Sequence, residues 1–489
     1  MKRIGFLFVC FLWLGFLCAQ DISLRGENNA VFIYRATKDS LSNYFEDEFK
    51  LRIDRGVFTF GMSFKAELPK YRESSPISEL NPSQIITQWQ DRYVQLSFDD
   101  LRLRGGTIEE AFGVGLMLRA WNDTDNNFDK RLEGAQVAYF NDQFRLATVY
   151  GGAKYDLEEV KINKDDIIAG SDFEYKLFDQ FQIGASAVQY KQKNWVTSMR
   201  SYTNWDLFGG RISFNSDLFD LNAEYAELLR YHNTHDQNGT ALYGQSSIYI
   251  HNFTFTGGYK KYARFKYPYA DLPTLNHYDE LLYNYGDINY EEGLLGEIKF
   301  QQSVTNEYIL NYSEAWNDDF KVRYANAYFN YTCNLEQFMI ITELETVERN
   351  DEYQKSWEKE IIPSITTNFF HLSVPLQIKF QYAMNSEEDL NYITNINTQK
   401  KYHKPYLQID STLYNWFSYS IFAQYQIDEG KEMMKNKVYL GTEVIVNVAK
   451  HTELKLFVGK EKGGKVCRNG VCKYQPPFEG LKLSLNTRF

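Results

Sequence analysis

Apolar and polar residues alternate along most of this chain. Near the C-terminus, Val374, Leu376, Ile378, Phe380 and Tyr382 alternate with Pro375, Gln377, Lys379 and Gln381. Near the N-terminus, Phe58, Phe60, Met62, Phe64 and Ala66 alternate with Thr59, Ser63, Lys65 and Glu67. Because successive side chains of a strand point to opposite faces, this period of two predicts strands that each have one apolar face.

Strand candidates fill nearly the whole chain, and the best helix candidate, Ser83–Tyr93, is short. Tight turns are predicted near Val448–His451, Thr412–Trp416, His371–Ser373, Thr332–Leu335 and Ser303–Asn306. Longer connections between them include Asn385–Lys401, Glu348–Lys359 and Arg264–Gly293. A soluble sandwich would also alternate, but short turns on one side and long loops on the other are typical of outer-membrane barrels.

The predicted fold class is therefore all-β, an antiparallel up-and-down transmembrane β-barrel of about 24 strands, within a range of about 18–26. The lower count applies if the weak candidates Ser171–Leu177 and Ile361–Phe370 are loops. An even strand number places both chain ends in the periplasm of a bacterial cell.

Composition supports a barrel and excludes other classes. The 489 residues include 37 tyrosines, 36 phenylalanines and 8 tryptophans, which a disordered chain would lack. Mean hydropathy is nevertheless −0.48, and beyond the N-terminus no apolar run approaches the roughly 18 residues of a spanning helix. A barrel needs apolar residues only at alternate strand positions, which reconciles many aromatic residues with a hydrophilic average.

The N-terminus predicts export. Lys2 and Arg3 precede an apolar run from Ile4 to Ala19, so residues 1–19 are a predicted signal peptide and 20–489 a single barrel domain. The alternative is a lipoprotein anchored on Cys18, although Leu17 replaces the small residue expected before such a cysteine. The formal net charge of −11 argues against a nucleic-acid partner.

The polar face of the strands carries charges of both signs, including Lys379, Glu443, Lys455, Lys482 and Arg488. In a barrel this face lines the lumen, so the lumen is predicted to be polar. No separate plug domain precedes the first strand candidates. A barrel this wide is therefore filled by inward loops or by a partner, unless the strand count is too high.

The chain ends on an amphipathic strand. One face carries Leu481, Leu483, Leu485, Thr487 and Phe489, and the other carries Lys482, Ser484, Asn486 and Arg488. A terminal phenylalanine after such a strand resembles the signal that the bacterial barrel-assembly machinery reads. The predicted partners are this machinery, the lipid bilayer and, in one hypothesis, other outer-membrane proteins.

Two cysteines flank a turn signal in the last predicted external loop. Asn469-Gly470 favours a type I′ hairpin, which places Cys467 and Cys472 opposite each other and predicts a disulfide. A redox pair would have two intervening residues rather than four, and two thiols make a poor metal site. Cys333 is expected to be unpaired, in a periplasmic turn.

Two other loops suggest metal sites. Acidic and amide side chains are spaced by two at Asp123, Asp125, Asn127 and Asp129, as in calcium loops, but the central glycine and distal glutamate of an EF-hand are missing. An ordinary polar loop explains this segment at least as well, and a solvated loop also explains the pair His232 and His235. No other cofactor is expected.

A third loop, Arg264–Gly293, is rich in tyrosine, which could contact a glycan, a partner protein or the barrel interior. We found no Gly-x-Ser-x-Gly, His-Glu-x-x-His or phosphate-loop motif, so an enzyme is not expected.

Arg104–Arg119, with its Phe-Gly-x-Gly-Leu-x-Leu-Arg core, resembles a family of Bacteroidota outer-membrane proteins known only as a domain of unknown function. Cys467–Gly480 and the final strand are similar to the end of that family. The resemblance implies an outer-membrane barrel, and the family has no established activity or catalytic residues to transfer to this chain. The first functional hypothesis is a passive channel for small hydrophilic solutes. The alternative is a non-enzymatic barrel subunit of a larger surface complex, with its lumen closed by loops or a partner.

Overall fold

A computed structural model describes residues 22–36, 43–68, 86–123, 128–154, 162–196, 199–231, 237–278, 280–282, 289–370, 374–391, 396–428, 437–468, 471–475 and 477–489. The predicted signal peptide lies outside them. Within the described residues, no helix is both long and apolar enough to cross a membrane.

The described residues form thirty strands. They are β1 Ser23–Arg35, β2 Asn43–Arg55, β3 Phe58–Leu68, β4 Ile86–Ser97, β5 Leu101–Ile108, β6 Glu110–Phe112, β7 Leu118–Ala120, β8 Asn122–Asp123, β9 Phe128–Asp129, β10 Leu132–Phe140, β11 Phe144–Lys154, β12 Ile162–Phe178, β13 Phe181–Val196, β14 Met199–Asn215, β15 Phe219–Tyr231, β16 Gln237–Ile250, β17 Phe253–Ala263, β18 Tyr290–Gln301, β19 Asn306–Trp316, β20 Val322–Asn334, β21 Phe338–Asp351, β22 Ser356–Phe369, β23 Leu376–Asn391, β24 Ile396–Tyr414, β25 Phe417–Asp428, β26 Lys437–Ala449, β27 Thr452–Glu461, β28 Gly464–Arg468, β29 Val471–Gln475 and β30 Phe478–Arg488.

Twenty-four of these strands form one closed antiparallel sheet. Strands β1–β5, β10–β27 and β30 each pair with the next wall strand, and β30 pairs with β1 to close the barrel. The other six strands form three small hairpins, β6–β7, β8–β9 and β28–β29. The predicted all-β barrel of about 24 strands is thus confirmed.

Burial alternates along the wall strands as the sequence predicts. Leu440, Phe208 and Leu146 are 58%, 54% and 41% exposed, whereas the adjacent Leu207 and Ala147 are buried. The exposed set is apolar and faces outward all around a closed wall, which is the arrangement of an outer-membrane-type transmembrane barrel. The lumen-facing set is the buried one.

The two ends of the barrel differ in connection length. At one end, which we call the short-turn end, the connections are residues 56–57, 98–100, 141–143, 179–180, 216–218, 251–252, 302–305, 335–337, 370–375, 415–416 and 450–451. The predicted tight turns are confirmed, although His371–Ser373 lies outside the described residues. Both described chain ends, at β1 and β30, lie at this short-turn end.

At the opposite end, the loop end, connections range from residues 197–198 to 264–289. Two predicted loops are mostly strand: β23 and β24 leave only residues 392–395 between them, and β21 and β22 leave only 352–355. The weak candidates Ser171–Leu177 and Ile361–Phe370 lie in β12 and β22. The helix candidate Ser83–Tyr93 is wrong. From Ile86 onward this segment is strand β4, which pairs with β3 as part of the closed wall.

The seam between the first and last strands is completed by the C-terminal residue. Gly26 N–H donates to the Phe489 carbonyl at 2.7 Å, and Phe489 N–H donates to the Gly26 carbonyl at 2.9 Å. A Cβ on Gly26 would lie 2.2 Å from the Phe489 ring, and that ring stacks on Phe49 at 6.2 Å. Glycine at position 26 is therefore what lets the terminal ring lie flat against the wall.

Candidate functional site in the barrel lumen

Two loop-end connections fold into the barrel. Loop A is residues 109–131, between β5 and β10, and loop B is residues 264–289, between β17 and β18. Their apolar side chains join inward-facing residues of the wall in one buried cluster. Loop A supplies Phe112, Leu116, Met117, Leu118 and Ala120, and loop B supplies Phe265, Tyr267 and Tyr269. Inward-folded loops therefore occupy part of the lumen.

Loop A fits into two glycine positions on the inner wall. A Cβ on Gly170 in β12 would lie 2.9 Å from the Phe112 ring, and one on Gly209 in β14 would lie 2.8 Å from Met117 Sδ. Any larger side chain at these wall positions would therefore push against loop A. Phe112 and Met117 are fully buried there.

The hairpin of loop A contains the Phe-Gly-x-Gly-Leu-x-Leu-Arg segment noted in the sequence. Gly113 and Gly115 have φ of 58° and 103°, a left-handed conformation that L side chains rarely adopt. A Cβ on Gly113 would also lie 2.0 Å from the Glu224 carboxylate of β15. Glu224 accepts a 2.8 Å hydrogen bond from Val114 N–H, so the wall binds the tip of the hairpin directly.

A network of charges fixes the base of loop A. Glu110 in β6 pairs with Arg145 of the wall at 2.6 Å and accepts a 2.5 Å bond from Gln136 Nε2. Arg145 also pairs at 2.8 Å with Asp172, which is fully buried and pairs with Arg211 at 2.8 Å. Breaking one member of such a network leaves a buried charge without compensation, so it holds loop A in one place.

Loops A and B are joined to each other. Arg119 N–H donates to the Tyr269 carbonyl at 2.8 Å, and Asp271 N–H donates to the Gly115 carbonyl at 3.0 Å. The side chains of Arg119 and Asp271 form a 2.5 Å ion pair, and the Arg119 guanidinium lies 4.2 Å from the Trp121 ring centre. The two loops therefore form one layer rather than two independent segments.

Loop B follows the inner wall from β13 to β21. Tyr267 and Tyr269 contact Tyr190 of β13 edge to face, at 5.9 and 5.8 Å between ring centres. Burial raises the pKa of the Tyr267 hydroxyl well above its usual range, so this group stays neutral. Of the three contacts that the sequence left open for the tyrosine-rich loop, these residues make the one with the barrel interior.

Further along, loop B is held by polar contacts. The His277 ring stacks on Tyr328 of β20 at 3.7 Å between centres, and His277 Nδ1 lies 3.1 Å from Glu345. Glu280 forms a 2.6 Å ion pair with Arg349 of β21. Burial raises the pKa of the neighbouring Tyr278 to about 12.

One arc of the inner wall, on β26, β27, β30 and β1–β3, contributes no described residue to the apolar cluster of loops A and B. This arc carries ion pairs, among them Lys455–Glu443 at 3.0 Å, Lys65–Glu46 at 3.0 Å and Lys50–Glu48 at 3.2 Å. A cavity of about 530 Å³ lies at the short-turn end of this arc. Its lining includes Arg25, Arg52, Asp91, Arg131 and Arg488.

The predicted calcium loop lies only partly in the described region. Asp125 and Asn127 are outside it, and of Asp123 only the backbone is described. Asp129 forms a 2.8 Å ion pair with the Arg131 guanidinium. Arg131 also donates a 3.2 Å hydrogen bond to the Gln90 carbonyl of β4. Across the described residues no group of three or more potential metal ligands is present. Calcium binding remains a prediction.

The cysteine predictions have different outcomes. The β28–β29 register places Cys467 directly opposite Cys472, as the hairpin prediction requires, but their side chains are not described. The disulfide remains a prediction. Cys333 is a free thiol. It lies near the end of β20, just before the turn rather than in it. The pair His232 and His235 lies outside the described residues.

Sequence reasoning did not identify the apolar inner wall under loops A and B. Val149, Ile168, Val188, Leu207 and Leu228 all face inward and are buried, so the lumen is not polar throughout. A signal was present: apolar residues occur in adjacent pairs at Ile167–Ile168, Leu207–Phe208 and Leu228–Leu229. Such pairs indicate a strand that is apolar on both faces.

A family model described as "Family of unknown function (DUF6029)" matches residues 34–325. A search of curated protein sequences found no match. The P pilus usher (PapC) translocation pore has a TM-score of 0.45 at 9% identity, with 96% of this chain and 99% of that chain covered. The siderophore receptor PirA from Pseudomonas aeruginosa has a TM-score of 0.48 at 8% identity, covering 95% and 80%. OccK3 from the same organism has a TM-score of 0.41 at 13% identity, covering 84% and 96%.

Proposed function

Since the chain belongs to the DUF6029 family, a family of unknown function, we propose a function from the barrel itself: a passive, non-enzymatic outer-membrane channel for small hydrophilic solutes. In this proposal loops A and B narrow the lumen without sealing it. The charged arc of the inner wall is the path that solutes follow.

The width of the wall supports an open lumen. Twenty-four strands spaced about 4.8 Å apart and tilted by about 40° would form a circular wall of roughly 48 Å diameter. After subtraction of side chains, a height of about 25 Å gives a lumen of roughly 25,000 Å³. At close packing, the 19 described residues of loop A and the 19 of loop B fill roughly 5,000 Å³, about a fifth of it. The described part of the two loops therefore narrows such a lumen without filling it.

The observation that carries the proposal is the exposure of charged residues on β2 and β3 of this arc, whereas Glu443 on β26 is buried. Lys50 is 47% exposed and its partner Glu48 25%, and Lys65 and Glu46 are 24% and 26% exposed. Ions buried in a dry lumen would carry a desolvation penalty of several kcal/mol each, so this arc favours water. A water-filled, charge-lined arc favours hydrophilic over apolar solutes.

The second candidate is a barrel subunit of a larger complex, with its lumen closed. The packing of loop A favours this alternative, because Phe112, Leu116 and Met117 are buried as completely as residues of a protein core. A partner that binds the free surface of the two loops could complete the closure.

Planar-bilayer recordings of the pure, folded protein separate these functions. Discrete conductance steps support the channel, and a heat-denatured sample serves as the control. Folded protein that gives no conductance steps contradicts the channel function. Co-purification of a stoichiometric partner after gentle solubilisation would then favour a subunit of a larger complex. Replacement of lumenal residues changes conductance only if the protein is a channel.

We further infer that the short-turn end faces the periplasm and that residues 1–19 direct export. The C-terminal strand, through Leu481, Leu483, Leu485 and Phe489, would be recognised by the barrel-assembly machinery. An epitope inserted between residues 429 and 436, at the loop end, should be accessible to antibody on intact cells. An epitope inserted at residues 216–218 should be accessible only after permeabilisation, and the reverse pattern would contradict this orientation.

A further inference from the structure

The outer face of the wall has a groove on strands β16–β21. The register of these strands aligns a row of positions that are small except for Tyr312 on β19, and a row of large apolar side chains lies beside it toward the short-turn end. The first row is Ser246, Gly257, Gly296, Tyr312, Ala327 and Thr346. The second row is Ile248, Phe255, Ile298, Leu310, Phe329 and Leu344. The space over both rows measures about 800 Å³.

No part of the described protein fills the floor of this groove. A Cβ on Gly257 or Gly296 would meet no atom within 4 Å. This contrasts with Gly170 and Gly209 on the inner wall, where side chains of loop A occupy the glycine positions. The floor of the groove is therefore open to molecules outside the described chain.

The level of the groove in the membrane is set by charged pairs on the same outer face. Toward the loop end, Lys261 pairs with Glu292 at 3.8 Å and Lys359 with Glu348 at 3.6 Å. Arg323 also pairs with Glu314. A charge on the lipid face costs about 2–4 kcal/mol at the midplane and about 0–1 kcal/mol near the interface. These pairs therefore lie at the interface, and the groove lies in hydrocarbon directly beneath it.

We propose that this groove binds one acyl chain of a phospholipid, with its headgroup on the charged pairs above. The phosphate is complementary to Lys261 and Arg323. An ethanolamine-type ammonium group is complementary to the carboxylates of Glu292 and Glu314. Tyr312, a member of the first row, donates to Glu314 at 3.1 Å and so connects the apolar groove to the charged rim.

The shape of the groove favours a lipid over a second copy of the chain. It runs along six neighbouring strands, roughly 24–29 Å, but spans only two rows of side chains, about 7 Å along the strands. A stable interface between proteins buries at least about 1,000 Å² with close complementarity, which a narrow slot does not provide. An extended acyl chain has the dimensions of the slot.

Native mass spectrometry of the full chain tests this proposal. Delipidated protein is titrated with palmitoyl-oleoyl phosphatidylethanolamine, comparing wild type, the double variant Gly257→Leu/Gly296→Leu, and Gly105→Leu. Gly105 is the matched control, because a Cβ there also meets no atom within 4 Å and it faces outward on β5, away from the groove. We expect the double variant to lose tight binding of one lipid at least tenfold and the control to retain it. Equal binding by all three overturns the proposal.

A wild-type measurement removes any dependence on the folding of the variants. A phospholipid with a photoreactive diazirine in its acyl chain should label peptides from β16–β21 preferentially. Labelling spread evenly around the barrel, or a dimer that the double variant converts to monomer, overturns the lipid assignment. Conductance is a separate readout, so a failed channel proposal and a failed lipid proposal give different results.

Discussion

Replacement of Phe112 by alanine should release loop A from the wall and widen the channel. Phe112 is completely buried, with its ring over Gly170. Removing a buried phenylalanine side chain costs about 3–5 kcal/mol, and each 1.4 kcal/mol corresponds to a factor of ten in an equilibrium. The population of released loop A should therefore rise roughly 10²- to 4 × 10³-fold. The wall should stay folded, because the backbone hydrogen bonds between its strands do not involve loop A.

The size of the expected conductance change follows from the volume of the loop. The 19 described residues of loop A occupy roughly 2,500 Å³ of a lumen of roughly 25,000 Å³, about a tenth. If current scales with open cross-section, single-channel conductance in planar bilayers should increase by at least about a tenth.

The matched control is Phe208→Ala. It makes the same chemical change on the lipid-facing side of β14, where Phe208 is exposed. It should leave the conductance unchanged. Both variants must first show the heat-modifiable migration of a folded barrel on unboiled gels. A folded Phe112→Ala protein with the wild-type distribution of conductance would refute the assignment of loop A as a constriction.

Three further predictions concern the wall and the thiols. Gly26→Leu should reduce the folded, heat-modifiable fraction, because the new side chain collides with the ring of Phe489; normal assembly would show that the seam does not depend on this contact. Leu483→Arg should impair assembly far more than Ser484→Arg, since only the former places a charge in lipid at about 2–4 kcal/mol, and equal defects would contradict the facing of β30. Thiol labelling of the unfolded, unreduced mature protein should modify Cys333 alone, whereas labelling of three cysteines would contradict the predicted disulfide.

The wall of the barrel was predictable because one local rule produces it. Each wall strand must have an apolar outer face. The period of two in the sequence therefore shows that Phe58, Phe380 and Leu483 face outward. The rule fails beyond the hydrocarbon. At Glu387 and Lys400 both faces of the β23–β24 hairpin contact water or polar groups, so the alternation disappears and the sequence resembles a loop. The structure continues the strands there because paired backbone hydrogen bonds do not require an apolar face.

The loop layer in the lumen was only partly predictable. Sequence showed the tyrosine-rich loop B and the glycine-rich segment of loop A, but not where their side chains pack. Phe112 and Gly170 are far apart in the chain, and a glycine that accommodates a ring looks like any other glycine in a strand. The adjacent apolar pair Leu207–Phe208 carried the missing information, since one of its members must face the lumen and requires a cover.

Polymer-exclusion recording tests the central claim most directly, that loops A and B narrow an otherwise open, water-filled lumen. Conductance of the wild-type protein is measured in planar bilayers with polyethylene glycols of increasing size, and compared with Phe112→Ala. We expect small polymers to enter and reduce the current in both proteins, with a larger size cut-off in the variant. Folded wild-type protein that conducts no current, or an identical cut-off in both proteins, would contradict the account.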